Sequence, residues 1–212
     1  MKHAIIGSGN IGSAVARQFV RADLPVGLAT AKGVAAVSRL VDELGSPVTA
    51  IEVVDALQAD VVILAVPFEA VRGLVEQVPD WGRRVIVDTT NAIDYKDFSP
   101  ADLGGRPSSD LVGDWAVNAR VVKAFGSTWA NVLAREPATP GGPRVLLVSG
   151  NHPAANAEVS GLMETMGFVP IDLGRNDGGG LLQQFGGPLT TLSLISQPIG
   201  GATPAEMDLV LP

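Results

Sequence analysis

The chain has no cysteine in its 212 residues, only two histidines, His3 and His152, and one tyrosine, Tyr95. Without a thiol there is no disulfide, no cysteine-bound zinc, no iron–sulfur cluster and no thiol nucleophile. Two scattered histidines make no spaced ligand set, so no metal site is expected. Positive charge is also scarce: 15 Lys and Arg against 22 Asp and Glu leave a net charge of −7. That balance does not suit a phosphate backbone, and no nucleic-acid partner is expected. The longest apolar run, Val61 to Phe68, falls far short of the roughly 20 residues a membrane span needs. The N-terminus opens on a strand-like run rather than a leader, so a cytoplasmic location without membrane association is expected.

What is present suits one compact domain, or one with a small appendage: 46% hydrophobic and 17% charged residues, with 25 Gly and 15 Pro. Acid–base enzymes usually place His, Tyr, Cys or a tuned carboxylate at the reacting atoms. The shortage of such groups points to a cofactor for the hard chemistry, and no catalytic side chain stands out. His3 opens the first strand at the end away from a ligand edge. His152, followed by Pro153, reads with Asn151 as a helix cap. Tyr95 has Ser99 four places on, not the lysine of a short-chain dehydrogenase.

Short β-branched runs alternate with helical stripes. Strands are expected at His3–Ile6, Val26–Ala29, Val48–Ala50, Val61–Val66, Val85–Asp88, Val121–Ala124, Val145–Val148 and Val169–Asp172. Ile11, Ala14, Val15 and Phe19 fall on one helical stripe, as do Val34, Val37, Val41 and Leu44, stopped by Gly45, and then Val71, Leu74, Val75 and Val78. Such alternation predicts an α/β, doubly wound, mostly parallel sheet. Asp94 to Asn118 reads as a long loop with one short helical turn. From Asn176 the chain opens with a mobile-looking Gly178-Gly-Gly180 and continues as a small helical appendage. The expected division is therefore a 1–175 dinucleotide-binding domain and a 176–212 cap or dimerisation segment, with a homodimer as the expected assembly.

The chemistry-bearing motif is Gly7-Ser8-Gly9-Asn10-Ile11-Gly12, between the first strand and the first amphipathic stripe. In that context Gly7 makes the tight turn, Gly9 lets the backbone approach a pyrophosphate, and Gly12 lets helix and strand pack closely, as in a Rossmann fold. The phosphates then meet free N–H groups at the positive end of the helix dipole. An NAD site usually carries an acid about 20 residues on, yet no acidic residue lies between Leu24 and Val41. The second strand ends instead at Thr30-Ala31-Lys32. Thr30 can donate a hydrogen bond, and Lys32, if not simply solvated, attracts a 2′-phosphate, so NADP(H) is the expected cofactor. Arg39 is a weaker second contact. Ala65, Val66 and Pro67, at the end of the fourth strand, would border the cofactor. Asn91, after the fifth, suits either an Asn-based turn or a contact to the nicotinamide half. Lys123, Phe125 and Ser127 end the sixth strand at the same edge.

The motifs Gly7 to Gly12, Ala31-Lys-Gly33, Leu64-Ala-Val-Pro67, Val87-Asp-Thr-Thr-Asn91, Val121-Val-Lys-Ala-Phe125, Gly167 to Gly174 and Leu182 to Leu189 together resemble one family. This is the NADPH-dependent coenzyme F420 reductase, or F420H2:NADP oxidoreductase, family, with the reductase domain of STEAP proteins as a more distant likeness. The resemblance implies NADPH on the glycine turn, a basic residue after strand two on its 2′-phosphate, and a C-terminal region over the nicotinamide. Gln184, Phe185, Gly187, Pro188 and Leu189 are the implied wall of that region. The chain departs from the family at Ala31-Lys32, where Ser-Arg is commoner, and at Gly126, where Asn is.

The resulting expectation is an NADPH-dependent oxidoreductase that exchanges hydride with a flavin-like or deazaflavin (coenzyme F420) small-molecule substrate. A reductase of a small imine or carbonyl compound and a non-catalytic NADP sensor are the alternatives.

Overall fold

The computed structural model describes residues 1–197; the rest of the tail, on which the expected homodimer partly rests, lies outside the described residues. Strand β1 (His3–Ile6) leads through the glycine turn into α1 (Asn10–Arg21), followed by β2 (Val26–Ala29), α2 (Val34–Leu44) and β3 (Val48–Ala50). A short α3 (Val53–Ala56) precedes β4 (Val61–Leu64), α4 (Phe68–Val75) and β5 (Val85–Asp88). A small hairpin, β6 (Ile93–Asp94) and β7 (Ser99–Pro100), and helix α5 (Ser108–Trp115) come before β8 (Arg120–Ala124). Then follow α6 (Ala130–Leu133), a second hairpin of β9 (Ala138–Thr139) and β10 (Gly142–Pro143), β11 (Val145–Gly150), α7 (Pro153–Thr165) and β12 (Val169–Asp172). A π-helical turn, Asn176–Gly180, runs directly into α8 (Leu181–Gln183).

Eight strands form one sheet in the order β12-β11-β8-β5-β4-β1-β2-β3. From β3 to β8 every pair is parallel; β11 runs antiparallel to β8, and β12 follows β11. The chain moves outward from β1 to β3 and then restarts at β4 on the other side of β1, which is the doubly wound Rossmann order with its switch point between β1 and β4. The mostly parallel α/β sheet expected from the sequence is the sheet observed.

The continuous apolar runs are divided between two cores, because successive side chains of a strand point to opposite faces. Ile5, Ile63, Val85 and Val87 pack with Val15 and Phe19 of α1 and Val159 of α7. Ala4, Ile6, Val62, Leu64 and Ile86 pack with Val71, Trp81 and Val112. On this second face the sheet turns polar towards β8 and β11, where Asp88, Lys123 and Ser149 are all buried.

The differences from the sequence reading lie mainly in the second half. The fourth strand stops at Leu64, two residues early, because the chain turns at Pro67 into α4. The expected loop from Asp94 to Asn118 contains a hairpin and the eight-residue α5. Gly178-Gly-Gly180, expected to be mobile, is built into the π-turn. Gly179 and Gly180 are buried, and a Cβ on Gly179 would overlap the Leu173 backbone. Glycine there serves a close approach between chain segments, not freedom.

Candidate functional site

The ends of β1, β2, β4, β5 and β8 form one rim of the sheet, stitched by short contacts. The Gly7 amide donates to the Ala29 carbonyl at 2.8 Å, the Ala65 amide to the Ile6 carbonyl at 2.9 Å, and the Thr89 hydroxyl to the Leu64 carbonyl at 2.8 Å. Side chains are excluded at particular positions. A Cβ on Gly7, whose φ is +118°, would overlap the Ala65 carbonyl, and one on Gly12 would overlap the Gly7 carbonyl. These two glycines fix how closely turn, helix and neighbouring strand approach.

Gly9 is different, because nothing lies within 4 Å of where its Cβ would be. It is the exposed N-cap of α1, in extended backbone, with no side-chain cap. Among the described residues, the amides of Ser8 to Gly12 donate to no backbone carbonyl, and the first helical bond runs from Ser13 to Gly9 at 2.9 Å. The Ser13 hydroxyl bonds back to the Ser8 carbonyl at 3.1 Å, which steadies the turn. A glycine with open space beside it and unclaimed amides at a helix N-terminus fit a dinucleotide diphosphate.

Thr30, Ala31 and Lys32 follow β2 on the same rim, and Ala31 and Lys32 are exposed. Among the described residues, Lys32 forms no ion pair. The Thr30 carbonyl accepts from Gly33 at 3.0 Å, and Gly33, with φ +83°, starts α2. Ala65 and Val66, just past β4, are half-buried and Pro67 is exposed. Asn91 bridges the ends of β5 and β8: its Nδ2 donates to the Gly126 carbonyl at 3.1 Å, while its Oδ1 is buried without a partner. Gly126 stands where a side chain would overlap the Thr89 carbonyl. Phe125 is fully buried in the core with φ +61°, so it supports the rim from below.

Sequence reasoning left one arrangement unassembled. Asp88 and Lys123 are paired neighbours on β5 and β8, and both are buried. Lys123 Nζ lies 3.3 Å from Asp88 Oδ2 and donates to the Thr90 carbonyl at 2.8 Å. The Ser109 hydroxyl of α5 donates to the same carboxylate oxygen at 2.5 Å. Asp88 Oδ1 accepts from the Thr90 amide at 2.9 Å and the Thr90 hydroxyl at 2.6 Å. Burial works to raise the Asp88 carboxyl, but the Lys123 ammonium, then the Ser109 and Thr90 hydrogen bonds, outweigh it and hold it below the usual carboxylate range. The available signal was a charged residue within each of two apolar strand runs, but their register could not be read from the sequence.

The implied C-terminal wall divides by role. Gln184 Oε1 accepts the Ser108 amide at 3.0 Å, Gly187 packs on the Leu181 and Leu182 carbonyls, and Leu189 donates to Leu182. Phe185 instead meets Phe98 edge-on at 5.9 Å, and Phe98 meets Tyr95 at 6.3 Å. Tyr95 and Phe98 are exposed on the hairpin that begins two residues after Asn91. His3 is buried against Phe19 at the opposite rim, and His152 is the N-cap residue of α7. A polar cavity of about 320 Å³ beside Arg106, Asp110, Asn151 and Asn176 reaches the start of β8 and the end of β11, so it opens towards the far rim.

The strand order and the glycine turn define a fold of the Rossmann class. Over residues 2–92 the chain matches the model of the family described as NADP oxidoreductase coenzyme F420-dependent. It is 48% identical to the crystal structure of the hypothetical protein SMa0349 from Sinorhizobium meliloti. That match covers 93% of this chain and 96% of the other, with a TM-score of 0.90. A proposed F420-dependent NADP reductase from Arthrobacter sp. FB24 shares the fold at 24% identity and TM-score 0.69, over 82% of this chain and 85% of that one. A reductive aminase from Aspergillus terreus, in complex with NADPH and ethyl levulinate, shares it at 20% identity and TM-score 0.60, over 84% and 56%. No curated protein matches the sequence.

Proposed function

We propose that the chain is an NADPH-dependent oxidoreductase passing hydride between NADP(H) and a flavin-like or deazaflavin ring. The observation that carries this reading is the Gly7–Gly12 turn, with its unclaimed amides and the open space beside Gly9. Bound there, NADP(H) supplies the hydride equivalent. The amides of Ser8 to Gly12 hold the diphosphate, and Lys32 with Thr30 takes the 2′-phosphate. Ala65, Val66 and Pro67 border the coenzyme, and Asn91 Oδ1 accepts a hydrogen bond from its nicotinamide half.

The ring acceptor is supported by the exposed aromatic residues Tyr95 and Phe98, with Phe185 beside them. It is also supported by the position of both histidines away from the rim. Two rings held face to face need positioning more than a strong acid at the reacting carbon, and positioning alone can remove several kcal/mol of barrier. A carbonyl reductase would want a proton donor at the developing alkoxide.

The test mixes protein with NADPH and a panel of acceptors while following the near-ultraviolet absorbance of reduced nicotinamide. Oxidation with deazaflavin or flavin alone is the expected result. Oxidation with small cyclic imines or ketones instead would replace this acceptor class, and tight binding without turnover would make the chain a sensor.

A further inference from the structure

The buried pair Asp88–Lys123 lies beside the residues assigned to the nicotinamide half, yet it is almost wholly shielded from solvent and is given no part in binding phosphate. Its contacts converge on Thr90. The Thr90 amide and hydroxyl both donate to Asp88 Oδ1, at 2.9 and 2.6 Å, and the Thr90 carbonyl accepts from Lys123 Nζ at 2.8 Å. Every polar atom of Thr90 is therefore held by the pair. The next residue is Asn91, whose Nδ2 is tied to Gly126 and whose Oδ1 is buried without a partner. A buried acceptor left unpaired is costly, and such a group is set for a donor that arrives with a ligand. The pair is itself fixed from the helical layer, since Ser109 donates to Asp88 Oδ2 at 2.5 Å. The Lys123 carbonyl accepts from Gln183 Nε2 at 3.1 Å.

We propose that Asp88 and Lys123 are positioning residues: by clamping Thr90 they hold the Asn91 carboxamide oxygen in place for the nicotinamide half of the coenzyme. The inference rests on the NADP reading. It goes beyond that reading in assigning the nicotinamide geometry to a charge pair that never meets the coenzyme. Replacing a buried pair as a unit avoids leaving one charge uncompensated. The clamp is therefore removed with the double variant D88N/K123M, in which the carboxamide put in place of the Asp88 carboxylate can still accept from Thr90 while the grip on the Thr90 carbonyl is lost.

The experiment measures calorimetric affinities for NADP+ and for adenosine 2′,5′-bisphosphate, which carries the adenine half and the 2′-phosphate but no nicotinamide. The double variant is expected to bind the bisphosphate as the wild type does and NADP+ on the order of ten-fold more weakly, the scale of one good hydrogen bond. Ser109→Ala, which removes only the hydroxyl bond to Asp88, should shift the same ratio in the same direction if the double variant does not fold. On an Asn91→Ala background the double substitution should add nothing, since both changes act through one group. Equal weakening of both ligands, an unchanged ratio in either variant, or full additivity with Asn91→Ala would overturn the proposal. Failure of the wild type to bind either ligand would instead remove the NADP reading beneath it.

Discussion

Lys32 and Gly9 make separable predictions, because one is a charge at a rim and the other is a space. Lys32 is exposed and, among the described residues, without an acidic partner. Lys32→Ala should therefore leave the melting temperature unchanged and weaken NADPH by about ten-fold, with little effect on NADH. Fluorescence titration of both coenzymes checks this, and equal loss of the two would remove the phosphate assignment. Gly9→Val introduces a side chain where nothing lies within 4 Å, so the fold should persist while dinucleotide binding is lost. Gly12→Ala drives a methyl group into the Gly7 carbonyl, so thermal unfolding should move down before any ligand is added. Opposite outcomes for the two glycines in a melting and binding series would reverse their assigned roles. The motif was legible in the sequence because each glycine has its own steric reason. The clamp at Thr90 was not, although Asp88 and Lys123 both lie within motifs the sequence analysis singled out. Their meeting depends on β5 pairing with β8 in one particular register.

Among the elements, the early βαβ units were readable because β-branched runs and helical stripes agree with the final packing. The later ones were not, since tertiary contact decides them. Helix α5 begins with two buried serines, of which Ser109 is used to reach Asp88, so its first turn is polar and breaks the apolar stripe that Val112 continues into the core. The π-turn is shaped by Asn176, whose Nδ2 donates to Asp110 at 3.0 Å and whose Oδ1 lies 3.3 Å from the Ser149 hydroxyl. Asn176→Ala would remove both bonds and leave the proton of the buried Ser149 hydroxyl without an acceptor, at a cost of about 1–3 kcal/mol. Urea unfolding followed by circular dichroism should show a lower midpoint with little change in slope. An unchanged midpoint would mean that the turn is held by its backbone alone.

Across the whole molecule, His3 links stability to pH. Burial, then the Lys2 charge, lowers its pKa from an ordinary value of 6.5, against the raising effects of the Pro25 carbonyl, Glu158 and Asp60. The unfolded chain therefore takes up this proton first as the pH falls. Its contribution to stability is complete above 6.5 and declines as the pH falls through the window between that value and the lower folded one. Melting temperature should rise with pH across this window, and His3→Leu should flatten that part of the profile. A parallel profile in the variant would assign the slope to other groups.

The reversal between β8 and β11 has a consequence for how the protein can diversify. Connections leaving β1, β2, β4, β5 and β8 all emerge at the rim of the glycine turn, whereas those leaving β11 and β12 emerge on the far side. Lengthening the Asn151–His152 or Leu173–Arg175 junctions would decorate a surface remote from that rim. On the proposed reading, acceptor preference would be retuned through the hairpin after β5, the chain after β8, and the returning segment that carries Phe185. These are the places to randomise in a library selected for a new electron acceptor.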